Sequence, residues 1–251
     1  MIPTEPSEDR LYQAAELAQF YDFDNPSNPG HDYCRQLAKD ARSVLDLGCG
    51  TGRLAADLAA ERSVVGVDPA SAMLDVARQR PGGDRVTWVE ADARTVRLGR
   101  QFDLVLLTGH AFQVFITEED QRSVCATIAE HLTAGGQFIF DSRNPAAEAW
   151  RGWTPDRSRR CFEHPWPGTI EAWNDVGHDA ATDIVTYQTH YRVVGTDRCF
   201  SASSKIRFTS RDLVAALLAD VGLKVDRWLG DWDGGACKTA SPEIIPIGRL
   251  A

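Results

Sequence analysis

Between residues 43 and 141 the chain alternates short apolar runs with helical patterns, and this alternation restricts the fold more than any other feature. Five runs have the length of buried parallel strands rather than of helices. They are Ser43–Leu47, Val64–Val67, Val86–Val89, Asp103–Leu107 and Gln137–Asp141. Four successive strand-to-helix units predict an α/β fold with a doubly wound, mostly parallel sheet. In such a fold, ligand groups lie at the carboxyl ends of the strands.

Two further patterns complete the predicted secondary structure. One helix begins near Thr117 and ends at Leu132, with Gly135-Gly136 as its stop signal. Residues 145–208 then break the α/β rhythm with several tryptophans and with alternating segments separated by turn residues. These segments, Ile170–Val176, Ile184–Val194 and Arg198–Phe208, predict an antiparallel β insertion after the fifth strand.

Charge and composition exclude several classes of protein. The 27 basic and 36 acidic side chains leave a net charge of −9, which repels a polyanion and argues against a nucleic-acid partner. No stretch approaches the ~18 apolar residues of a membrane span, and the N-terminus is acidic without an apolar leader. The 6 cysteines have no spacing that suits zinc. We therefore expect a soluble, cytoplasmic protein that needs no metal and binds no membrane.

The segment that carries the chemistry runs from a strand into a glycine turn, Val44-Leu45-Asp46-Leu47-Gly48-Cys49-Gly50-Thr51-Gly52. Three glycines at alternating positions let a ligand approach the backbone closely. A pyrophosphate-binding fingerprint would need a glycine where Arg53 stands, so a dinucleotide is disfavoured.

Two acids follow the next strands in a way that suits a nucleoside. Asp68 closes the second strand, where its carboxylate can accept hydrogen bonds from both hydroxyls of a ribose. Asp92 follows the third strand, where a carboxylate and nearby backbone groups can bind an adenine edge. Together with Asp46, these acids favour a nucleoside cofactor without a pyrophosphate.

At these residues the chain resembles the class I S-adenosylmethionine-dependent methyltransferases. The resemblance spans about residues 43–142, where VLDLGCGTG is similar to the family's glycine motif, GVD to its ribose-binding acid and ADA to its adenine-side motif. It implies a Rossmann-like, seven-stranded sheet whose last strand is reversed, a strand that Ile244–Ile247 is placed to supply. The implied cofactor is S-adenosylmethionine, and the product is S-adenosylhomocysteine.

The resemblance also assigns residues to parts of the cofactor. Gly48, Gly50 and Gly52 would line its methionine moiety, and Asp46 would support the loop or the methionine ammonium. Asp68 would hold the ribose, and Asp92 with Ala93 would face the adenine. The other predicted cofactor contacts are their neighbours Cys49, Arg53, Pro69, Met73 and Thr108. For the Cys49 thiol itself, filling space in the turn is a simpler role than nucleophile or metal ligand.

Two residues are candidates for catalysis. His110 lies just beyond the fourth strand, where it would orient or deprotonate the acceptor, or else serve as a loop histidine bonded to backbone. Tyr21 is placed like the tyrosine that closes over the cofactor from an N-terminal lid in small-molecule members of the family. Packing of the N-terminal segment is the alternative role of its ring.

Four residues are candidates for binding the acceptor. Arg143 and Asn144 end the fifth strand, and the Arg143 guanidinium suits a carboxylate or phosphate, with pairing to Asp141 as the alternative. Trp173 and His190 lie on strands of the insertion, where aromatic residues line a pocket or form the small sheet's own core.

Taken together, these features predict methyl transfer to the nitrogen or oxygen of a small-molecule metabolite. The chain would comprise an N-terminal helical lid and connector (1–42), a cofactor-binding core (43–144), a substrate-capping β insertion (145–208) and the completion of the core (209–251). The alternatives are non-methylating chemistry with the same cofactor, and a cofactor-sensing or partner-binding protein. The oligomeric state is not predicted.

Overall fold

A mostly parallel sheet with one reversed strand forms the centre of the molecule in the computed structural model, which describes residues 10–26 and 29–251. The strands in chain order are β1 (Ser43–Leu47), β2 (Ser63–Asp68), β3 (Thr87–Glu90), β4 (Phe102–Leu107), β5 (Leu132–Phe140), β6 (Ser142–Arg143), β7 (Arg160–His164), β8 (Gly168–Asp179), β9 (Ile184–Val193), β10 (Cys199–Arg207), β11 (Leu223–Leu229) and β12 (Glu243–Leu250).

The central sheet has the order β11-β12-β5-β4-β1-β2-β3, and the short β6 extends it by pairing with β12. Strands β1 to β5 pair in parallel, whereas β12 runs antiparallel to both β5 and β11. The predicted reversed last strand is therefore confirmed. Strand order reverses between β1 and β4, and such a switch point opens a crevice at the carboxyl edge of the sheet.

Nine α-helices are found within the described residues, and the helix predicted from near Thr117 to Leu132 is present to within one residue at each end. They are α1 (Arg10–Gln13), α2 (Ala15–Ala18), α3 (Tyr21–Asp24), α4 (Pro29–Leu37), α5 (Arg53–Leu58), α6 (Ser71–Gln79), α7 (Glu118–His131), α8 (Pro155–Ser158) and α9 (Arg211–Asp220). Ser210 caps α9 by accepting a hydrogen bond from the backbone of Leu213, as its sequence position predicts. Within residues 10–26 and 29–251, none of the helices combines the length and apolar composition that a bilayer crossing requires.

The predicted stop signal at Gly135-Gly136 is wrong. Helix α7 ends at His131, and β5 begins at the next residue, so both glycines lie inside the strand. The register between β4 and β5 shifts at this point, and a Cβ on Gly136 would lie 2.8 Å from the Phe102 carbonyl oxygen. These glycines thus allow a close approach of two strands rather than ending a helix.

The predicted antiparallel insertion is present as a four-stranded sheet in the order β10-β9-β8-β7. Three of its strands match the predicted alternating segments, whereas β7 was not predicted from the sequence. One face of this sheet carries Ile170, Ala172 and Tyr191, which pack with Phe20 and the first helices. The insertion is thereby attached to the N-terminal segment as well as to the core.

The two faces of the central sheet bury different side chains because neighbouring residues of a strand point to opposite sides. Leu45 and Leu47 of β1 belong to the cluster formed with α7 and α9. Val44 belongs to the opposite cluster, with residues of α4 and α5. Helices therefore cover both faces, as the continuous apolar runs predict.

Trp88 of β3 lies against the glycine turn that follows β1, a contact that was not predicted from the sequence. A Cβ on Gly52 would overlap the Trp88 ring, and a Cβ on Gly66 would lie 2.5 Å from it. The indole nitrogen donates a hydrogen bond of 2.8 Å to the Gly83 carbonyl oxygen, which fixes the ring. The indole therefore supports the turn from beneath.

We expect Gly52→Ala to lower the free energy of unfolding by about 1–3 kcal/mol more than Gly50→Ala, because only the first adds an overlap with a packed ring. Both glycines have a positive φ, 71° and 54°, so the backbone strain is matched, and a Cβ on Gly50 would meet no atom within 4 Å. Urea unfolding of the ligand-free variants measures the difference. Equal losses in the two variants would contradict the role of Trp88.

Candidate active site

The glycine turn after β1 is held open by a carboxylate from the neighbouring strand. Gly48, Gly50 and Gly52 all have positive φ values, which glycine adopts without steric cost. One oxygen of Asp68 accepts a hydrogen bond of 2.8 Å from the Gly50 N–H, and the other accepts one of 2.9 Å from the Ala70 N–H. Asp68 thus joins the ends of β1 and β2 into one rigid edge.

Asp46 lies at the end of β1 and is 3% exposed. Its carboxylate makes no hydrogen bond or ion pair with the residues that the structure describes. Burial, with a smaller contribution from the nearby charge of Asp68, raises the pKa of Asp46 to about 7. A buried carboxylate without a partner is costly on its own and suits a cationic ligand such as an ammonium group.

The glycine turn and the two acids are what a bound S-adenosylmethionine would require. The turn leaves open space in front of Gly50, where an added Cβ would touch nothing. Asp46 has the charge to bind the methionine ammonium, and Asp68 retains oxygen lone pairs for the ribose hydroxyls. The residues present therefore fit the cofactor that the sequence predicts.

Three other predicted cofactor residues already have protein partners. Asp92 is bound by Arg94, whose hydrogen bonds lower the pKa of this carboxyl. The Arg53 guanidinium donates to the backbone carbonyls of Asp22, Asn25 and Pro26, so it fastens the N-terminal segment. The Cys49 N–H donates to the Val67 carbonyl, and burial raises the pKa of its thiol.

The remaining predicted contacts surround the turn at different depths. Met73 is buried with Ala18 beneath the first helices. Ala93 is also buried, Thr108 is half-buried just beyond β4, and Pro69 is exposed beside Asp68. All four lie near carboxyl ends of the first four strands.

His110 is the centre of a cluster of acid and base groups at the same edge. Its Nε2 lies 3.0 Å from Glu243 Oε1 and 3.4 Å from Asp141 Oδ2. The backbone takes a left-handed conformation with a φ of 62°, rare for a non-glycine residue, and the His110 N–H donates to Asp141 Oδ1 at 3.1 Å. Asp141 is 1% exposed, and its burial raises the pKa of its carboxyl.

This arrangement favours one tautomer of the imidazole. An ionised carboxylate only accepts hydrogen bonds, so the neutral ring of His110 carries its hydrogen on Nε2. Nδ1 then keeps the lone pair, and it has no hydrogen-bond partner among residues 10–26 and 29–251. The ring can therefore take up one proton at Nδ1 while the carboxylates stabilise the resulting charge.

Glu243 was missed by sequence reasoning. It is the first residue of β12, directly before the apolar run that predicts the last strand. Because β12 is reversed, its first residue lies at the edge where the parallel strands end. The sequence position of Glu243 could therefore have identified it. An acid directly before a reversed strand lies at the same edge of the sheet as acids that directly follow parallel strands.

The three groups of this cluster place an imidazole nitrogen and two carboxylates within 4.8 Å of one another. Such a set is also one that divalent metal ions use. The prediction that the protein needs no metal stays a prediction.

Tyr21 of α3 reaches this edge from the N-terminal segment. Its ring meets the Tyr12 ring edge to face at 6.1 Å, and burial raises the pKa of its hydroxyl to about 12. Arg143 and Asp141 are near enough for their charges to act on that hydroxyl. Tyr21 therefore lies on the same side of the molecule as the His110 cluster, within range of its charge but without a direct contact.

Helix α3 is held from two sides by its carboxylates. Asp22 binds Thr51 Oγ1 at 2.7 Å and pairs with Arg80, both next to the glycine turn. Asp24 pairs with Arg160 of β7 and accepts a hydrogen bond of 3.0 Å from the Tyr191 hydroxyl. Tyr21 is therefore positioned by the cofactor-binding core and the insertion together.

Asn144, a predicted acceptor contact, has its amide occupied by the protein. Its Nδ2 donates to the carbonyls of Thr239 and Ser241, and its Oδ1 accepts from the Ala146 N–H. These bonds hold the loop that leads into β12. Asn144 therefore supports Glu243 rather than presenting its own amide to a ligand.

Trp173 and His190, also predicted to bind the acceptor, lie on the outer face of the insertion. They are cross-strand partners whose rings stack at 5.2 Å, and His190 bonds Asp175 and Ser201. Side chains alternate along β9, so His190 points away from the face that carries Tyr187 and Tyr191. The structure does not bring these two residues to the His110 cluster.

The comparisons with known proteins agree with this geometry. A family model described as a methyltransferase domain matches residues 44–136. The cypemycin N-terminal methyltransferase of a Streptomyces species is 36% identical over 108 residues, 43% of this chain and 44% of that protein. The malonyl-[acyl-carrier protein] O-methyltransferase of Anoxybacillus flavithermus is 29% identical over 133 residues, 51% of this chain and 50% of that protein.

The chain spans about half the length of these curated relatives. The solved structure of the CcbJ methyltransferase from Streptomyces caelestis superimposes with a TM-score of 0.78 at 21% identity, covering 97% of this chain and 98% of that one. That likeness extends the shared fold to the insertion and the last strands. Residues 44–136 therefore match a methyltransferase domain, and the chain is similar in sequence to N- and O-methyltransferases and in fold to a solved methyltransferase.

We expect Asp46→Asn to make the ligand-free protein more stable at pH 8 and to weaken binding of S-adenosylhomocysteine about tenfold or more. The substitution removes a buried charge, and it also removes a charge-assisted hydrogen bond of ~1.5–3 kcal/mol to the ligand's ammonium. Thermal unfolding and calorimetric titration measure the two effects.

The same residue predicts a pH dependence. Because folding raises the pKa of Asp46 to about 7, its protonation favours the folded state, and that contribution is lost as the pH rises from about 4 to about 7. Ligand binding needs the ionised form and strengthens over the same interval. An Asp46→Asn variant with unchanged affinity and unchanged stability would contradict both expectations.

Proposed function

We propose that the protein transfers the methyl group of S-adenosylmethionine to the nitrogen or oxygen of a small-molecule acceptor. The observation that carries this proposal is the position of His110. A base supported by Asp141 and Glu243 lies at the same sheet edge as the glycine turn and Asp46. Relatives named as N-methyltransferases and as O-methyltransferases leave both acceptor atoms possible.

The bound cofactor supplies a methyl group on a positively charged sulfur, which is already an activated leaving group. The protein's main task is then to align the acceptor, an effect worth up to ~7–11 kcal/mol in well-oriented systems. Tyr21 and α3 lie at the N-terminal side of the cleft, where Asp24 of α3 joins Arg160 and Tyr191 of the insertion.

His110 acts as the base that accepts the acceptor's proton. A protonated amine must lose one proton before its nitrogen has a free lone pair. A hydroxyl group must lose its proton as its oxygen attacks the methyl group. Nδ1 takes that proton, Nε2–H donates to Glu243, and buried Asp141 stabilises the imidazolium from a second side. The two carboxylates also make the cleft attractive to a cationic amine before it is deprotonated.

The proposed acceptor is small because the insertion lies over the cleft and the net charge of −9 opposes a polyanion. The cytoplasmic location expected from the sequence stays a prediction.

Calorimetric titration of S-adenosylhomocysteine tests the cofactor. We expect micromolar binding to the wild type and a loss of at least tenfold in Asp68→Ala, because that carboxylate both shapes the turn and meets the ribose. Asp75→Ala is the matched control, since Asp75 is an exposed acid of α6 that pairs with Arg78. No binding to the wild type would overturn the proposal, and an equal loss in the control would remove the role of Asp68.

His110→Ala tests the catalytic role. With an acceptor found by screening small amines and hydroxyl compounds, we expect kcat to fall about 10²-fold or more while the affinity for S-adenosylhomocysteine changes little. His31→Ala, in α4 and outside the cluster, should keep full activity. Full turnover by His110→Ala at saturating cofactor would show that the histidine is not the base.

A further inference from the structure

Arg143 is a half-buried arginine that, unlike the other half-buried arginines described, contacts no carboxylate of the described residues. Seven arginines with described side chains are half-buried: Arg53, Arg62, Arg80, Arg94, Arg143, Arg160 and Arg207. Six of them have a carboxylate oxygen within 4.0 Å. Arg143 has none among residues 10–26 and 29–251. The charge of Asp141 acts on Arg143 only from beyond contact distance. A partly buried cation with no carboxylate in contact suits an anionic ligand.

The groups that hold Arg143 are uncharged. Its guanidinium donates a hydrogen bond of 3.0 Å to Gln113 Oε1 and lies 5.0 Å from the centre of the Trp153 ring. Gln113 is fully buried, and its own Nε2 donates to the Arg207 carbonyl, which fixes the amide. Gln113 and Trp153 therefore orient the guanidinium without neutralising it, which leaves its remaining N–H donors for a ligand.

A nearby acid that is well placed to neutralise Arg143 is bound elsewhere. Glu243 is the direct cross-strand partner of Arg143 in the β6–β12 pair, an arrangement in which side chains lie on the same face. Glu243 nevertheless pairs with His110, while Arg143 pairs with Gln113. One positive and one negative group thus stand side by side at the edge of the sheet, each held by a different partner.

Three tyrosines stand around this pair of charges. The hydroxyls of Tyr12 and Tyr187 lie 3.1 Å apart, and the ring of Trp153 packs edge to face on that of Tyr187. Burial raises the pKa of both Tyr12 and Tyr21, and the positive charge of Arg143 offsets a small part of that rise. Tyrosine hydroxyls beside a guanidinium add donors for a bound oxyanion.

We propose that Arg143 binds an anionic group, a carboxylate or a phosphate, of an acceptor whose amine binds at His110, Asp141 and Glu243. This inference rests on the proposed function and narrows it to nitrogen acceptors that carry a negative charge within a few bonds of the amine. The planar guanidinium binds either oxyanion through two parallel hydrogen bonds. The acceptor's two opposite charges then fix its orientation, with the amine toward the base.

Matched ligand pairs that differ only in the anionic group test this proposal. They are 3-aminopropanoate against 3-aminopropanamide, and 2-aminoethyl phosphate against 2-aminoethanol, each titrated into protein saturated with S-adenosylhomocysteine. We expect the wild type to bind the anionic member of at least one pair about tenfold more tightly. Preference within the first pair identifies a carboxylate, and preference within the second identifies a phosphate.

Arg143→Gln should abolish that preference, and Arg143→Lys should retain part of it because the charge remains without the planar fork. Arg157→Gln is the control, since Arg157 is an exposed arginine of α8 in the same insertion. Thermal unfolding of each variant shows that it is folded, and the lysine variant keeps the test valid if the glutamine variant is unstable.

No preference in the wild type, or an equal preference in Arg143→Gln, would overturn the role of Arg143. The titration of S-adenosylhomocysteine itself separates this failure from a failure of the proposed function. If every variant binds that ligand normally, the cofactor site stands and only the anion site is rejected. If the wild type does not bind S-adenosylhomocysteine, the proposed function is rejected. The ligand pairs are then titrated into the protein without S-adenosylhomocysteine, which tests Arg143 separately.

Discussion

Three carboxylates, those of Asp46, Asp68 and Asp141, are buried at the carboxyl edge of one sheet, and the rest of the structure depends on how their charge is balanced. An ionised group that loses water must gain hydrogen bonds or an opposite charge. Asp68 gains two backbone N–H donors, and Asp141 gains the His110 N–H and imidazole. Asp46 gains no protein partner among the described residues, and its burial raises its pKa to about 7, so that protonation relieves the charge when no cation is bound.

Helix α3 joins the two halves of the cleft through charge as well. Its first acid binds beside the glycine turn, and its last acid binds the insertion. The helix has only four residues, so it is too short to be stable alone and depends on these contacts. The glycine turn and the insertion are thus linked through one short segment.

The reversed strand organises the cluster around His110. The reversal of β12 places Glu243 next to the end of β5, where it meets His110, and sets Arg143 opposite it on β6. The opposed charges of Glu243 and Arg143 are kept apart because each has a partner with better geometry. A cleft with separate positive and negative groups selects ligands by orientation as well as by size.

The sequence by itself determined the five parallel strands, the helix between β4 and β5 and the position of Asp46 and Asp68 at strand ends, because burial periodicity and strand-to-helix turns are local properties of the chain. Through the resemblance to a known family it also implied the reversed last strand. It also indicated His110, Tyr21 and Arg143, since each stands near a recognisable strand end or lid. Only the tertiary structure decided the partners: Glu243 beside His110, Trp88 beneath Gly52, and Trp173 with His190 on the outer face of the insertion. Those contacts join residues far apart in sequence or depend on strand register, and a shift of one residue in register would reverse which side chains face the site.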